Sequence, residues 1–260
     1  MKQKPKKKIF YHTLSDDLED DHIETPVIDK DFKYMTKNPF VNAWAWIYYH
    51  IIIFPIGWFW CRCIKHIKYV GAKKIRKCKT GYFMYGNHTN RFSDAFSPSV
   101  IKPTKKPYLI ANPNNVNVPF LGSSTKFLGV LPLPTGLEAH KNFLHTIEHR
   151  LNQKHGIVVY PEAKIWTNFT GIRPFDSQSF KYPVKYNVPV FCVTTTYQTT
   201  KRNKCQMVLY IDGPFYPDKT LDAKTDQQRL HDIVESTMKT RAQNSNFETF
   251  CYQQIQEENQ

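Results

Sequence analysis

The sequence predicts an α/β fold, a mixed and largely parallel sheet flanked by helices, preceded by a two-helix segment at a membrane interface. Three observations predict it. From residue 68 onward short apolar runs alternate with amphipathic stretches, and strands that alternate with helices favour parallel pairing. Phe40–Ile64 is crowded with tryptophan, tyrosine, phenylalanine and isoleucine, with no charge between Lys37 and Arg62. At 260 residues the chain can bury one large core with decorations.

Residues 1–37 read as a charged, weakly ordered tail. The first ten residues carry five lysines, and residues 11–37 carry eight acids against three lysines. A solvated, charge-patterned segment is the simplest account. No apolar stretch of signal-peptide type follows the lysines.

Residues 38–67 form the second unit. A transmembrane helix needs about 20 apolar residues, so the length is marginal for a span. Asn42 and His50 are polar, Pro55 and Gly57 interrupt the run, the aromatics are spread throughout, and bases lie on both sides. The pattern therefore predicts two short helices, Asn38–Phe54 and Gly57–His66, lying in the interface with tryptophans at head-group depth. A buried helical hairpin is the alternative.

Residues 68–260 form the third unit. Strands are predicted at Gly81–Gly86, Pro107–Ala111, Val130–Leu133, Gly156–Tyr160, Val188–Thr196 and Gln206–Asp212. Helices are predicted at Asp94–Val100, Pro119–Leu128, Leu137–Gln153, Ser177–Tyr186 and Thr225–Gln243. His88, Pro134 and Glu162 each follow a predicted strand. They can share the carboxyl rim of a parallel sheet, where ligands bind.

The net charge of +14 comes almost entirely from residues 38–112, with twelve Lys/Arg against one acid, Asp94. That field attracts phospholipid head groups, phosphorylated substrates, acidic carrier proteins or nucleic acid. Lys65, Lys68, Lys73, Lys74, Lys77 and Lys79 adjoin a Trp-rich apolar segment, which suits anionic lipid better than nucleic acid. The six cysteines show no metal or disulfide framework, and buried or incidental thiols are the simplest account.

The chemistry concentrates in Asn87-His88-Thr89-Asn90-Arg91-Phe92-Ser93-Asp94. Imidazole titrates near working pH, and a carboxylate can hold its ring in one tautomer and stabilise the imidazolium. No Gly-x-Ser-x-Gly elbow accompanies the pair, so the histidine would activate a hydroxyl of the substrate itself. A second carboxylate follows a strand in Val158-Val159-Tyr160-Pro161-Glu162-Ala163-Lys164.

Four blocks in order resemble the glycerophospholipid acyltransferase family, typified by 1-acylglycerol-3-phosphate acyltransferases. They are Asn87-His88…Asp94, Phe127-Leu128-Gly129-Val130-Leu131-Pro132-Leu133-Pro134, Tyr160-Pro161-Glu162-Ala163 and Asn187-Val188-Pro189-Val190. The resemblance covers roughly residues 80–195 and implies acyl transfer from acyl-CoA or acyl-carrier protein to the free hydroxyl of 1-acylglycerol-3-phosphate, a reaction that needs no metal or redox cofactor. His88 would be the general base, oriented by Asp94. Glu162 would bind or orient the acceptor, Asn87 would belong to the substrate-binding set, and amides near Gly129 or at the helix start after His88 would stabilise the oxyanion.

The chain departs from the family pattern at several positions. The His-to-Asp spacer is one residue longer, which puts Ser93 at the usual register; Asp94 is favoured because a serine cannot stabilise an imidazolium. Pro134 stands where the family has an arginine. Ala163 replaces a glycine, and Lys164-Ile165 replaces Thr-Arg. Lys164, Arg173 and Arg91 are the candidate replacement cations for phosphate. The expected partners are an anionic membrane surface at the cytoplasmic face, a lysophospholipid, and the acyl thioester. Alternatives are another acceptor (glycerol-3-phosphate, another lysophospholipid or a glycolipid) or a non-catalytic lipid- or nucleic-acid-binding protein.

Overall fold

The run Gly-Ile-Val-Val at 156–159 offers no polar face and is buried along its whole length, as a strand covered on both sides must be. It lies in a seven-stranded sheet in a computed structural model that describes residues 7–18, 25–116 and 125–255. The strands are β2 (Lys68–Val70), β3 (Tyr82–Gly86), β4 (Tyr108–Ala111), β5 (Val130–Pro132), β6 (Gly156–Val159), β7 (Val190–Thr199) and β8 (Cys205–Phe215), in the spatial order β2-β8-β7-β3-β6-β4-β5. All pairs are parallel except β7 with β8. That pair is a hairpin closed by Thr200–Lys204, with Asn203 in the left-handed region at φ +55°. The mixed, largely parallel sheet is therefore present.

Side chains along the central strands alternate between two cores, as the two-residue period requires. Phe83, Tyr85, Ile157 and Val159 face one core, with helices α6 (Leu137–Asn152), α7 (Lys181–Tyr186) and α8 (Ala223–Ala242). α6 contributes Phe143, Ile147 and Leu151, and α8 contributes Leu230, Val234 and Met238; each set is spaced at four residues, one apolar stripe per helix. Tyr82, Met84, Val158 and Phe191 face the other core, with α3 (Ala72–Arg76) and α4 (Arg91–Ile101). The predicted helix Pro119–Leu128 lies mostly outside the described residues; its described end is α5 (Thr125–Leu128).

The two interfacial helices are one. Pro39–Ile64 is continuous over 26 residues, long and apolar enough to cross a membrane. It joins α1 (Pro39–Ile47) to α2 (Phe54–Phe59) through wide turns at Tyr48–Ile53 and ends in further wide turns at Trp60–Ile64. Pro55 sits in the first turn of α2, where the wide turn already relaxes the hydrogen-bond ladder, so its missing donor does not break the helix. One side packs on α4. Tyr49 Oη and Ser99 Oγ are 2.6 Å apart, and a Cβ on Gly57 would fall 2.5 Å from Phe96 Cδ1. The other side leaves Phe40, Trp44, Trp46, Ile51, Ile56 and Phe59 exposed.

The segment read as a solvated tail is built into the fold where it is described. β1 (Lys7–Tyr11) pairs in parallel with β9 (Phe250–Gln254) as a separate two-stranded sheet. Residues 25–37 lie along β5 and α6. Ile28 is buried, Tyr34 Oη donates to Pro132 O at 2.9 Å, and Thr135 N donates to Ile28 O at 2.9 Å.

Candidate active site

β3 ends at Gly86, and the missing side chain there shapes the site. A Cβ would lie 2.8 Å from Tyr160 Cε1, so only glycine lets Tyr160 cross the strand end. The Tyr160 ring then stacks on His88, with centroids 4.5 Å apart and planes 15° apart. Its hydroxyl donates to Asp94 O at 2.6 Å. Asn87 is buried and joins β3 to β7: Nδ2 donates to Thr195 O at 3.0 Å and Oδ1 accepts from Thr195 N at 2.7 Å. Its side chain is thus a structural bridge rather than a substrate contact.

His88 Nδ1 lies 2.8 Å from Asp94 Oδ2. The same oxygen accepts from Thr89 N and Asn90 N, each at 3.0 Å. Asn90 caps α4 by accepting from Ser93 N at 3.0 Å, and Asp94 sits in the first helical turn with its carboxylate turned back to the loop. The longer spacer is absorbed in this way: Asp94 meets the imidazole, while Ser93 Oγ is buried without a hydrogen-bond partner among the described residues. A carboxylate facing Nδ1 holds the proton there and leaves the Nε2 lone pair for a substrate. The imidazole is 19% exposed and Asp94 only 4%.

Glu162 and Arg173 do not face a substrate. Glu162 Oε2 accepts from His88 N at 3.1 Å, and Oε1 accepts from Arg173 N at 3.0 Å. Arg173 Nη2 reaches Glu162 Oε2 at 3.3 Å and also donates to Lys164 O, with its guanidinium 5.1 Å from the centroid of Trp166. The two side chains are 0% and 1% exposed. Burial raises the Glu162 pKa against the opposing pull of Arg173, and burial lowers that of Arg173 against the pull of Glu162. Desolvation outweighs attraction for both partners, the usual state of a buried ion pair. The acceptor-binding role expected of Glu162 and the phosphate-binding role expected of Arg173 both give way to support of the His88 backbone.

The other expected residues are dispersed. Arg91 is the exposed first residue of α4, beside the His88 loop. Lys164 is partly exposed and paired with Asp17. Ala163 adopts the left-handed conformation, φ +62°, at the place where the resemblance expects glycine. Gly129 immediately precedes β5, level with Tyr108 and hence with Phe83, at the amino end of the strands. That is about 16 Å down the sheet and roughly 14 Å across it from His88, so its amide serves no oxyanion there. Pro134 does follow a carboxyl strand end, but three strands away from β3.

Sequence reasoning missed the packing behind the loop. Trp166 N donates to His88 O at 3.2 Å, and Asn168 N to Thr89 O at 2.8 Å. Trp166 stacks on Tyr252 of β9 at 5.2 Å, lies 4.8 Å from Tyr11 of β1, and donates its indole N–H to Asp16 O at 3.0 Å. The only sequence signal for Tyr160 is an aromatic before Pro-Glu, which says nothing of stacking. No group of three or more metal-ligating side chains occurs among the described residues.

A family model described as Acyltransferase matches residues 66–196, half of the chain. The fold is similar to the crystal structure of the 1-acyl-sn-glycerophosphate (LPA) acyltransferase, PlsC, from Thermotoga maritima, with a TM-score of 0.51 and 14% identity over 80% of this chain and 84% of that one. At that identity the likeness concerns the fold. No curated protein matches the chain.

Proposed function

The chain belongs to the acyltransferase family, and from that premise we propose that it moves a fatty acyl group from an acyl thioester to the free hydroxyl of 1-acylglycerol-3-phosphate, giving phosphatidic acid. The observation that carries this reading is the partly exposed imidazole of His88, held through Nδ1 by Asp94 at the carboxyl rim of the sheet.

In this mechanism His88 Nε2 takes the proton of the acceptor hydroxyl as its oxygen attacks the thioester carbonyl, and Asp94 stabilises the imidazolium that forms. Positive ends of backbone dipoles at the α4 start lie next to the reacting centre and suit the tetrahedral oxyanion. Collapse of that intermediate expels the thiolate, which takes the proton from His88. Arg91 and Lys164 are the two candidate phosphate ligands not buried beneath the loop. The exposed aromatic side of Pro39–Ile64 continues to Phe92, 5.5 Å from Trp60, and supports membrane attachment close to the reacting groups, on the cytoplasmic side where thioester donors are found.

A second acceptor class, another lysophospholipid, glycerol-3-phosphate or a glycolipid, is favoured by two specific observations: Pro134 in place of a cation, and Arg173 buried against Glu162. The test is an acceptor panel with acyl-CoA and acyl-carrier protein as donors, with His88→Ala as control. Fastest transfer to 1-acylglycerol-3-phosphate is expected, with turnover lost in the variant. Undiminished turnover in His88→Ala would remove the assigned base.

A further inference from the structure

Cations also gather away from the imidazole, most of them outside residues 38–112. An open groove of about 580 Å³ lies where the long helix meets the β7–β8 hairpin, and its lining includes Lys65, His66, Lys201, Arg202 and Lys204. No carboxylate lines it. None of these four Lys/Arg side chains has an ion-pair partner among the described residues. Repulsion among uncompensated cations costs free energy that a bound anion returns. Both walls are held in place. Gln206 of β8 donates its side-chain amide to His66 O, Ile67 beside it is buried, and the hairpin turn is closed by Thr200 N to Lys204 O at 2.9 Å.

Packed side chains lead from the groove wall toward the helix that carries Asp94. Lys65 Nζ sits 5.3 Å from the Trp60 ring, and Trp60 lies 5.5 Å from Phe92, two residues before Asp94. Trp60 and Tyr160, the ring stacked on His88, pack against the same core. Along the sheet, β7 leads from Thr195, which is bonded to Asn87, to Thr199 at the hairpin. Those four residue steps span about 13 Å. A pantetheine arm has about 13 bonds from sulfur to the first phosphorus, which is about 15 Å at the reach of an extended chain.

We propose that this groove binds the phosphate groups at the nucleotide end of a coenzyme A thioester. The inference rests on the acyl-transfer function proposed above and deepens it by naming the donor. The volume falls in the range of small-molecule sites, on the order of 300–1,000 Å³. The ligand class is a compact polyanion: a pyrophosphate and a ribose phosphate together match a cluster of four cations better than the single phosphodiester of an acyl-carrier arm.

The experiment uses the full chain and a charge-reversed hairpin, Lys201→Glu/Arg202→Glu/Lys204→Glu, with Lys65→Ala on the opposite wall as a second variant. Adenosine 3′,5′-bisphosphate is titrated by calorimetry, KM is measured for acyl-CoA, and binding to vesicles containing phosphatidylglycerol is measured in parallel. The expected result is at least tenfold weaker bisphosphate binding and at least tenfold higher acyl-CoA KM in the hairpin variant, carried by KM rather than kcat, with a smaller loss in Lys65→Ala. Loss of vesicle binding with unchanged bisphosphate affinity would assign the groove to lipid head groups and overturn the proposal. Unchanged values in both variants would also overturn it. The titration needs no turnover, so bisphosphate binding without any acyl transfer would overturn the proposed reaction and leave the nucleotide site standing.

Discussion

The loop after β3 and the loop after β6 stand back to back, and they are put to opposite uses. The first holds an imidazole 19% exposed; the second buries the carboxylate of Glu162 completely. Each ends a buried parallel strand, and each carries an ionisable group at its tip. The difference lies in where the hydrogen bonds go. Asp94 Oδ2 gathers the imidazole and two amides, which leaves Nε2 outward. Glu162 spends both oxygens inward, on His88 N and on Arg173. Reaction and support are thus divided between neighbouring strands, and a charge can be central to a site without meeting its substrate.

Variants that separate chemistry from stability test that division. His88→Ala is expected to lower acyl transfer by about a thousandfold, within the usual range for a general base, with an unchanged melting temperature. Glu162→Ala is expected to cost about 3–5 kcal/mol of stability by leaving a buried guanidinium unpaired, seen as a large fall in melting temperature. A Glu162→Ala protein that folds normally but fails only in acceptor KM would erase the distinction between the two loops. Asp94→Asn should lose roughly a hundredfold in kcat, the lower end of the range for acid–base catalysis, whereas Ser93→Ala, which removes a hydroxyl without a partner among the described residues, should change activity less than twofold; the opposite order would move the orienting role to Ser93.

A pH series sharpens the comparison at smaller scale. Burial raises the folded-state pKa of Glu162, so the folded protein retains a proton that the unfolded chain releases. That stabilisation is present below the ordinary carboxylate range and is lost as pH rises through the raised value. Glu162→Gln cannot titrate, so its stability relative to wild type should improve as pH rises through that window. A flat difference in urea midpoints would contradict the assignment. The smallest effect concerns Ala163: replacing it with glycine relieves a left-handed conformation and should raise stability by up to about 1 kcal/mol without altering turnover.

The central strands were legible because burial on two faces leaves an unbroken apolar run, as in Gly156–Val159, and α6 and α8 because their buried residues repeat at four. The His88–Asp94 pair was legible for a related reason: both residues lie within one loop and the helix turn that follows it. What escaped depends on distant partners. β1 and β9 are short and pair across most of the chain, with no local pattern to announce them. Glu162 looked like a ligand because its actual partners are largely backbone amides, which no side-chain motif records. Gly129 was misplaced because its block gives a strand, not which end of the strand faces the site. The continuity of Pro39–Ile64 was missed because a proline in sequence does not reveal the wide turn that accommodates it.

The clasp formed by β1 and β9 also imposes an order in time. During synthesis β1 emerges before the seven strands of the main sheet, and its partner is made only after them. Through that interval β1 presents an unpaired edge, the feature most prone to joining a wrong neighbour. Lys7 and Lys8 are exposed on it, and like charges of this kind discourage such pairing. β9, made after the main sheet, therefore closes the aromatic stack behind His88, so the support of the site is assembled later than the strands that carry its reacting groups.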